Sequence, residues 1–347
     1  MAEFIIPRLE KLDSQPEVQA VLKRLLDQKT VQTMLWTGPV GSGKKTYALA
    51  LTRTLFCEKG EDCTGCQACH QVLHLTHSDL FWLEREQGKN EISVEAVRNL
   101  EKKLSNAPLS APVKVAVIPE AGKMNRDAQN AFLKTLEEPP AKTLVILLAE
   151  RTANFLPTVL SRCRPVRFGA LSSGLVESLL VKTYAWEKPK ARAATEFADG
   201  NMTLALQFAN QDWMDFVAKV QVDFDRALTG GEDDWLQTAS LYDQMEPDFL
   251  EEKTLTAGQR KAEVAKSALR IYAGIWNRRL LNQDSIPSNF GSLPPDQVLR
   301  SIQKHLDIIP SYLSPRMVLD HLFLELREGF KKGEIVPISF IESAVQI

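Results

Sequence analysis

The chain lacks any uninterrupted apolar run long enough to cross a bilayer. Its first residues, Met1-Ala2-Glu3-Phe4-Ile5-Ile6-Pro7, do not form a basic-then-apolar leader. These two absences argue against a membrane span and an export signal, and a soluble cytoplasmic protein is expected. It also lacks an excess of either charge. A formal net charge of −2 over 347 residues excludes global basicity as a route to nucleic acid or acidic lipid, and leaves only local patches. We find no internal repeat and no low-complexity tail. What remains is an ordinary globular balance, 44% hydrophobic and 25% charged, in a chain long enough for two or three domains.

Cysteine is scarce and concentrated. Of five cysteines, Cys57, Cys63, Cys66 and Cys69 lie together and Cys163 lies apart. Without an export signal such a group points to a metal rather than to disulfides. Two overlapping C-x-x-C units, with a fourth cysteine nearby and Gly60 and Gly65 to permit tight turns, suit a structural Zn²⁺ knuckle. Four thiolates complete a tetrahedral site and leave no position open for water, so catalysis is not expected there. His70 follows Cys69 and could substitute for a ligand, but the set is complete without it. Residues 70–78 hold three histidines with no carboxylate at ligand spacing, and read as a polar helix end and loop.

The most informative stretch is Gly38-Pro39-Val40-Gly41-Ser42-Gly43-Lys44-Lys45-Thr46. It has the G-x-x-x-x-G-K frame of a phosphate-cradling loop. An apolar run, Met34 to Thr37, precedes it and a helical run, Tyr47 to Phe56, follows. Glycines let backbone N–H groups converge on an anion at a helix N-terminus. The next position should carry the Ser or Thr hydroxyl that holds Mg²⁺, and here it is Lys45. Thr46 is a poor substitute, because adjacent helical residues point about 100° apart. Further strands are expected at 79–83, 114–120 and 144–149, and helices over 9–28 (the second opening at Gln15-Pro16-Glu17), from Ile92 with Ser93 as N-cap, and over 123–137. Pro119 occupies the place of a Mg²⁺-holding Asp at the end of its strand, leaving Glu120 alone. Strands alternate with helices up to about Phe168, which predicts a parallel α/β sheet. Beyond it only helical patterns follow, with breaks at Asp199-Gly200, Gly230-Gly231, 287–295 and 310–315. Arg270, Arg278 and Arg279 read as a solvated helix face.

Several segments coincide in order: Gln15, the loop Gly38 to Lys44, the four-cysteine insert, Ile92 to Leu100, the run from Met124 through Leu136-Glu137-Glu138-Pro139-Pro140, and Leu156-Pro157-Thr158-Val159-Leu160-Ser161-Arg162-Cys163. Together they resemble the AAA+ subunits of bacterial clamp loaders, the part of the DNA polymerase III assembly that loads the sliding clamp onto primed DNA in replication. The match covers residues 10 to about 205; the helical remainder fits by length and class.

The resemblance implies an α/β AAA+ domain with a parallel sheet and the zinc module 57–69 over residues 1–168. A small helical lid over 169–210 and an all-α collar for oligomerisation over 211–347 complete the expected organisation. It implies partners among the gamma/tau and delta loader subunits and, indirectly, the sliding clamp and primer-template DNA. Within the group, gamma/tau subunits hydrolyse ATP and a sister class typically does not. Lys45 and Pro119 depart from the active pattern. Glu150 falls near the first sensor's polar position and Thr203 aligns with the second sensor's Arg. Arg162 in Ser-Arg-Cys is intact, and in the family this arginine points into a neighbouring subunit's ATP site. The expectation is therefore a degenerate phosphate loop at Gly38, Gly41, Gly43 and Lys44, no ATPase of its own, and a trans arginine finger at Arg162 whose bland alternative is a structural salt bridge. One rival is a gamma/tau-like ATPase with unusual Mg²⁺ ligands. The other is a nucleic-acid module built on residues 57–70, disfavoured because Lys59 is outnumbered there by Glu58, Glu61 and Asp62.

Overall fold

The computed structural model describes residues 6–27, 33–60, 63, 65–86, 89, 91–198, 200–207, 211–245, 256–282, 290, 293–309 and 314–335. The chain forms two compact units: Met1–Ala191 with Gly200–Thr203, and Arg192–Asp199 with Leu204–Ile347.

The first unit is built on five parallel strands, β1 (Thr33–Thr37), β2 (Leu80–Trp82), β3 (Lys114–Ile118), β4 (Thr143–Ala149) and β5 (Arg164–Arg167), in the order β2-β3-β4-β1-β5. Side chains alternate across the sheet, as the two-residue period of a strand requires. Met34 and Trp36 of β1, Val115 and Val117 of β3, and Ile146 and Leu148 of β4 enter one core. Leu35, Ala116, Ile118, Val145 and Leu147 enter the other. The first core is covered by α1 (Pro16–Asp27), α2 (Lys44–Phe56) and α3 (Gln67–Leu73); the second by α4 (Val94–Leu104), α5 (Arg126–Glu137) and the short α6 (Pro157–Leu160). The result is a three-layer α/β/α arrangement, which is why its strands read as continuous apolar runs.

Several expected boundaries hold. Ser93 caps α4 by accepting the Ala96 N–H, and Asn125 caps α5 by accepting that of Ala128. The second helix expected within 9–28 starts at Pro16 as expected, as α1. Two expectations are refined. The first part of 9–28 is only a 3₁₀ turn, Leu9–Lys11. The 123–137 helix starts only at Arg126, because Ala121–Lys123 forms its own 3₁₀ turn. Strand β5 was not expected. Of Arg164, Pro165, Val166 and Arg167 only Val166 is buried, and Pro165 is tolerated because β5 is an edge strand paired to β1 alone.

Beyond β5 every described regular element is a helix: α7 (Ser173–Lys182), α8 (Lys188–Ala198), α9 (Met202–Gln207), α10 (Gln211–Thr229), α11 (Glu232–Gln244), α12 (Ala257–Asn282), α13 (Pro295–Ile308) and α14 (Pro315–Lys332). The break at Gly230-Gly231 separates α10 from α11. Asp199, and the breaks expected at 287–295 and 310–315 over residues 287–289, 291–292 and 310–313, lie outside the described residues. In the second unit, Phe224 is fully buried with its ring centroid 4.9 Å from those of both Tyr272 and Phe323. The solvated arginine face expected on α12 is corrected at Arg279. Its guanidinium bonds Asp225 Oδ2 at 2.8 Å and lies over the rings of Trp276 and Phe290. A planar cation of this kind can be buried once one carboxylate pairs it and an aromatic face supports it. No described helix is long and apolar enough to cross a membrane.

Candidate functional site

The phosphate loop springs from the carboxyl end of β1, between β4 and β5, and ends where Gly43 caps α2. Gly38, Gly41 and Gly43 have φ of 151°, 75° and 90°. These are conformations that side chains rarely adopt. At Gly38 the reason is also space: a Cβ there would lie 2.3 Å from the Phe168 carbonyl oxygen. At Gly41 it would lie 2.0 Å from the Asn201 side chain, and the Met202 N–H donates to the Gly41 carbonyl at 3.3 Å. Gln15 fastens the loop to the end of the sheet, its amide N–H₂ donating to the Gly169 and Ser42 carbonyls at 2.7 and 3.3 Å. Gly38→Ala should cost on the order of 2 kcal/mol or more, because backbone strain and a backbone clash coincide. Urea denaturation of the full chain measures it.

Lys44, the residue that would reach a nucleotide's phosphates, is turned onto its own loop. Its ammonium donates to the Gly38 and Pro39 carbonyls, both at 2.7 Å, and to Ser42 Oγ at 3.2 Å. Burial pulls its pKa down to about 8, against an opposing pull from Glu150. Lys45 is 60% exposed and faces Glu84, 3.4 Å away. Pro119 follows β3 directly and offers no side-chain ligand; Glu120 Oε2 is taken by Arg85 Nε at 2.7 Å. Glu150 and Thr203 are exposed. The loop therefore has the glycine conformations a tight loop requires, and the positions after Lys44 and after β3 carry an ammonium and a proline.

Arg162 lies in the turn between α6 and β5. Its Nε donates to Glu137 Oε2 at 3.1 Å and its Nη1 to the Thr158 carbonyl at 3.1 Å, with the side chain 32% exposed. The last turn of α5 and the Ser-Arg-Cys segment are thus brought together at the surface.

The four cysteines also converge. All five cysteines of the chain are free, and the Sγ atoms of Cys57, Cys63, Cys66 and Cys69 lie within 4.8 Å of one another. The Cys63–Cys69 pair is 4.0 Å apart. Zn–S bonds of about 2.3 Å in a tetrahedron require S···S near 3.8 Å, so a small contraction would seat the ion. The Cys66 N–H donates to Cys63 Sγ at 3.2 Å, a contact that favours thiolate and, with other nearby donors, holds its pKa down to about 6. Cys66 and Cys69 are buried, and burial pushes Cys69 up to about 12 in the metal-free protein. The donor set fits a metal ion such as zinc.

Sequence reasoning missed two cations beside this cluster. Arg8 lies within electrostatic reach of Cys57, and Arg53 of Cys69. Both are nearly buried. Arg8 donates to the Gly60 carbonyl at 2.7 Å, and Arg53 to those of Ile6 and Cys63. Four thiolates around a divalent ion carry a net charge of −2, and two guanidiniums offset it. The buried Arg53 Nε has no hydrogen-bond partner among the described residues. No spacing rule could have found Arg8, 49 residues before Cys57 in the chain, although Arg53 lies only four residues before it. The histidines at 70–78 are not gathered into a site: His70 and His74 are exposed, while His77 is buried against Phe56 and accepts the Asp79 N–H.

Residues 14–172 match a family model described as "DNA polymerase III, delta subunit". The chain is similar to the DNA polymerase III subunit delta' of Yersinia pestis, 40% identical over 126 residues, covering 35% of this chain and 37% of that protein. It is similar to the delta' subunit of Bacillus subtilis, 30% identical over 176 residues, covering 50% and 53%. It is also similar to the tau subunit of Bacillus subtilis, 28% identical over 213 residues, covering 59% of this chain and 37% of tau. The matches thus span between about a third and a half of these relatives' lengths.

Proposed function

We propose a function from one premise: residues 14–172 of this chain are of the delta prime clamp-loader type of DNA polymerase III. The whole protein then acts as a delta prime-like subunit, which is the non-hydrolysing class expected from the sequence. It assembles with gamma/tau and delta subunits in the cytoplasm and helps them load the sliding clamp onto primer-template DNA. Residues 169–210 serve as a lid and 211–347 as a collar for that assembly. The zinc held by Cys57, Cys63, Cys66 and Cys69 is structural.

The observation that carries this reading is the asymmetry of the phosphate loop. The loop has the glycine conformations of an anion loop and keeps Lys44, yet the Mg²⁺ positions hold Lys45 and Pro119. Phosphoryl transfer depends on positioning and on cationic stabilisation of the triphosphate, and both Mg²⁺ ligands are missing. What this chain's own residues do is keep the loop and its helix rigid behind an interface. The similarity to tau, together with the retained Lys44, favours the second reading, a gamma/tau-like ATPase with unusual ligands. ATP turnover by the isolated chain, with clamp and primed DNA present, separates the two. We expect background turnover that Lys44→Ala leaves unchanged; turnover abolished by that substitution would establish the ATPase.

A further inference from the structure

In the second unit, α13 and α14 bring together three side chains from two helices. His305 comes from α13, and His321 and Glu325 from α14, one helical turn apart. One ligand atom from each lies within 4.8 Å of the other two. His305 and Glu325 are almost fully buried, and the His321 side chain is 10% exposed.

The orientation of each group is set by a neighbour. His305 Nδ1 is 2.8 Å from the Ser301 carbonyl oxygen, which can only accept, so the proton sits on Nδ1 and the lone pair on Nε2. That Nε2 is 2.8 Å from His321 Nδ1. The Ser301 hydroxyl donates to Glu325 Oε1 at 2.7 Å, which leaves Oε2 directed at the histidines, 3.8 Å from His321 Nδ1. Glu325 Oε2 is buried and accepts no hydrogen bond among the described residues. The Lys304 ammonium, on a side chain 36% exposed, forms an ion pair with it at 3.7 Å.

A purely structural network explains the contact between the imidazoles but leaves a buried carboxylate oxygen with no hydrogen bond among the described residues and only a 3.7 Å ion pair to a partly exposed lysine. A cation seated between the two imidazoles and this oxygen would satisfy all three. We propose that His305 Nε2, His321 Nδ1 and Glu325 Oε2 form a second metal site, for a divalent transition cation of the zinc class, that pins α13 to α14. Two imidazoles and one carboxylate are a donor set suited to such an ion, with a remaining position for water. Ser301 supplies the outer contacts, its carbonyl fixing the His305 tautomer and its hydroxyl holding the carboxylate to one oxygen. The site is independent of the four cysteines and of the clamp-loader reading.

The test counts Zn²⁺ per full-length chain. Protein stripped by chelator is titrated calorimetrically with Zn²⁺ alone, and bound zinc is measured after desalting. The His321→Gln/Glu325→Gln double variant should bind one equivalent fewer than the unsubstituted chain, whatever the cysteine site holds. Ser301→Ala keeps all three ligands and should weaken that equivalent about 10–100-fold. Circular dichroism establishes that each variant is folded. Equal zinc content in the unsubstituted and double-variant chains overturns the proposal. If the double variant does not fold, an unchanged affinity in folded Ser301→Ala overturns it, and the predicted weakening supports it.

Discussion

Removing the zinc we propose at the four-cysteine cluster is expected to destabilise the first unit by several kcal/mol. Cys66 and Cys69 are not surface ornaments. They are part of the same core as Phe56, Val72, Leu80 and the β1 side chains Met34 and Trp36. Structural zinc contributes about 10–16 kcal/mol to small zinc-finger peptides, which have little else to hold them. Here a five-stranded sheet remains, so the loss is smaller, but the knuckle between α2 and α3 loses its cross-link. Arg53 would then lie nearly buried beside protonated thiols without its counter-charge, while Arg8 keeps Glu10 as its partner. Cys69→Ser should bind less zinc and melt earlier than the unsubstituted chain, and a chelator should lower the melting temperature of the unsubstituted chain by more than that of the variant. Zinc content and thermal unfolding, with and without chelator, check this. Unchanged melting in both experiments would show that the cluster has no structural metal.

The sign of the accompanying pH effect follows from the thiol environments. In the metal-free protein Cys63 is held down to about 6 and loses its proton readily, while burial holds Cys69 up at about 12 and keeps it protonated at neutral pH. Binding as thiolate therefore expels the Cys69 proton, and zinc affinity should rise with pH across the neutral range. Below about pH 6 Cys63 must also be deprotonated, which steepens the dependence.

What could be read from the sequence follows the range of the interactions involved. Strands β1, β3 and β4 were legible because both faces are buried and every residue in them is apolar or shielded. The knuckle was legible because its ligands lie within one short segment, and the phosphate loop because three glycines and a lysine must sit at fixed offsets. Strand β5 was not, since an edge strand buries one side chain and tolerates arginine and proline elsewhere. Nor could spacing reveal that Lys44 folds back onto Gly38 and Pro39, because the choice between a carbonyl and a phosphate is made by what the loop faces. Arg8 beside Cys57, Arg279 beside Asp225, and His305 beside His321 all depend on tertiary packing between separate segments. A charged residue in a helical pattern is ordinarily solvated, and only the fold identifies the exceptions.

Arg162→Ala should leave assembly of the reconstituted loader intact and sharply reduce its DNA-stimulated ATP turnover. A trans arginine finger is worth on the order of 10³–10⁵ in rate at the site it serves, so the whole complex should lose that site's share. The Arg162–Glu137 pair would tie the guanidinium to a structural task only if it were strong, but its partners are 32% and 59% exposed. Exposed pairs of this kind contribute about 0–1 kcal/mol and release their side chains at little cost. The two roles give different results with Glu137→Ala. If Arg162 only braces α5 against the turn before β5, both substitutions break the same bond and should produce the same small loss of stability with no specific loss of turnover. If Arg162 serves a neighbour's nucleotide, Glu137→Ala releases the arginine and leaves turnover intact, while Arg162→Ala removes it. Arg162→Lys adds a third comparison, since a lysine keeps the charge but cannot reproduce the planar fork of donors, and turnover should remain well below that of the unsubstituted loader. ATP hydrolysis at an unchanged rate in the assembled Arg162→Ala complex would end the finger hypothesis.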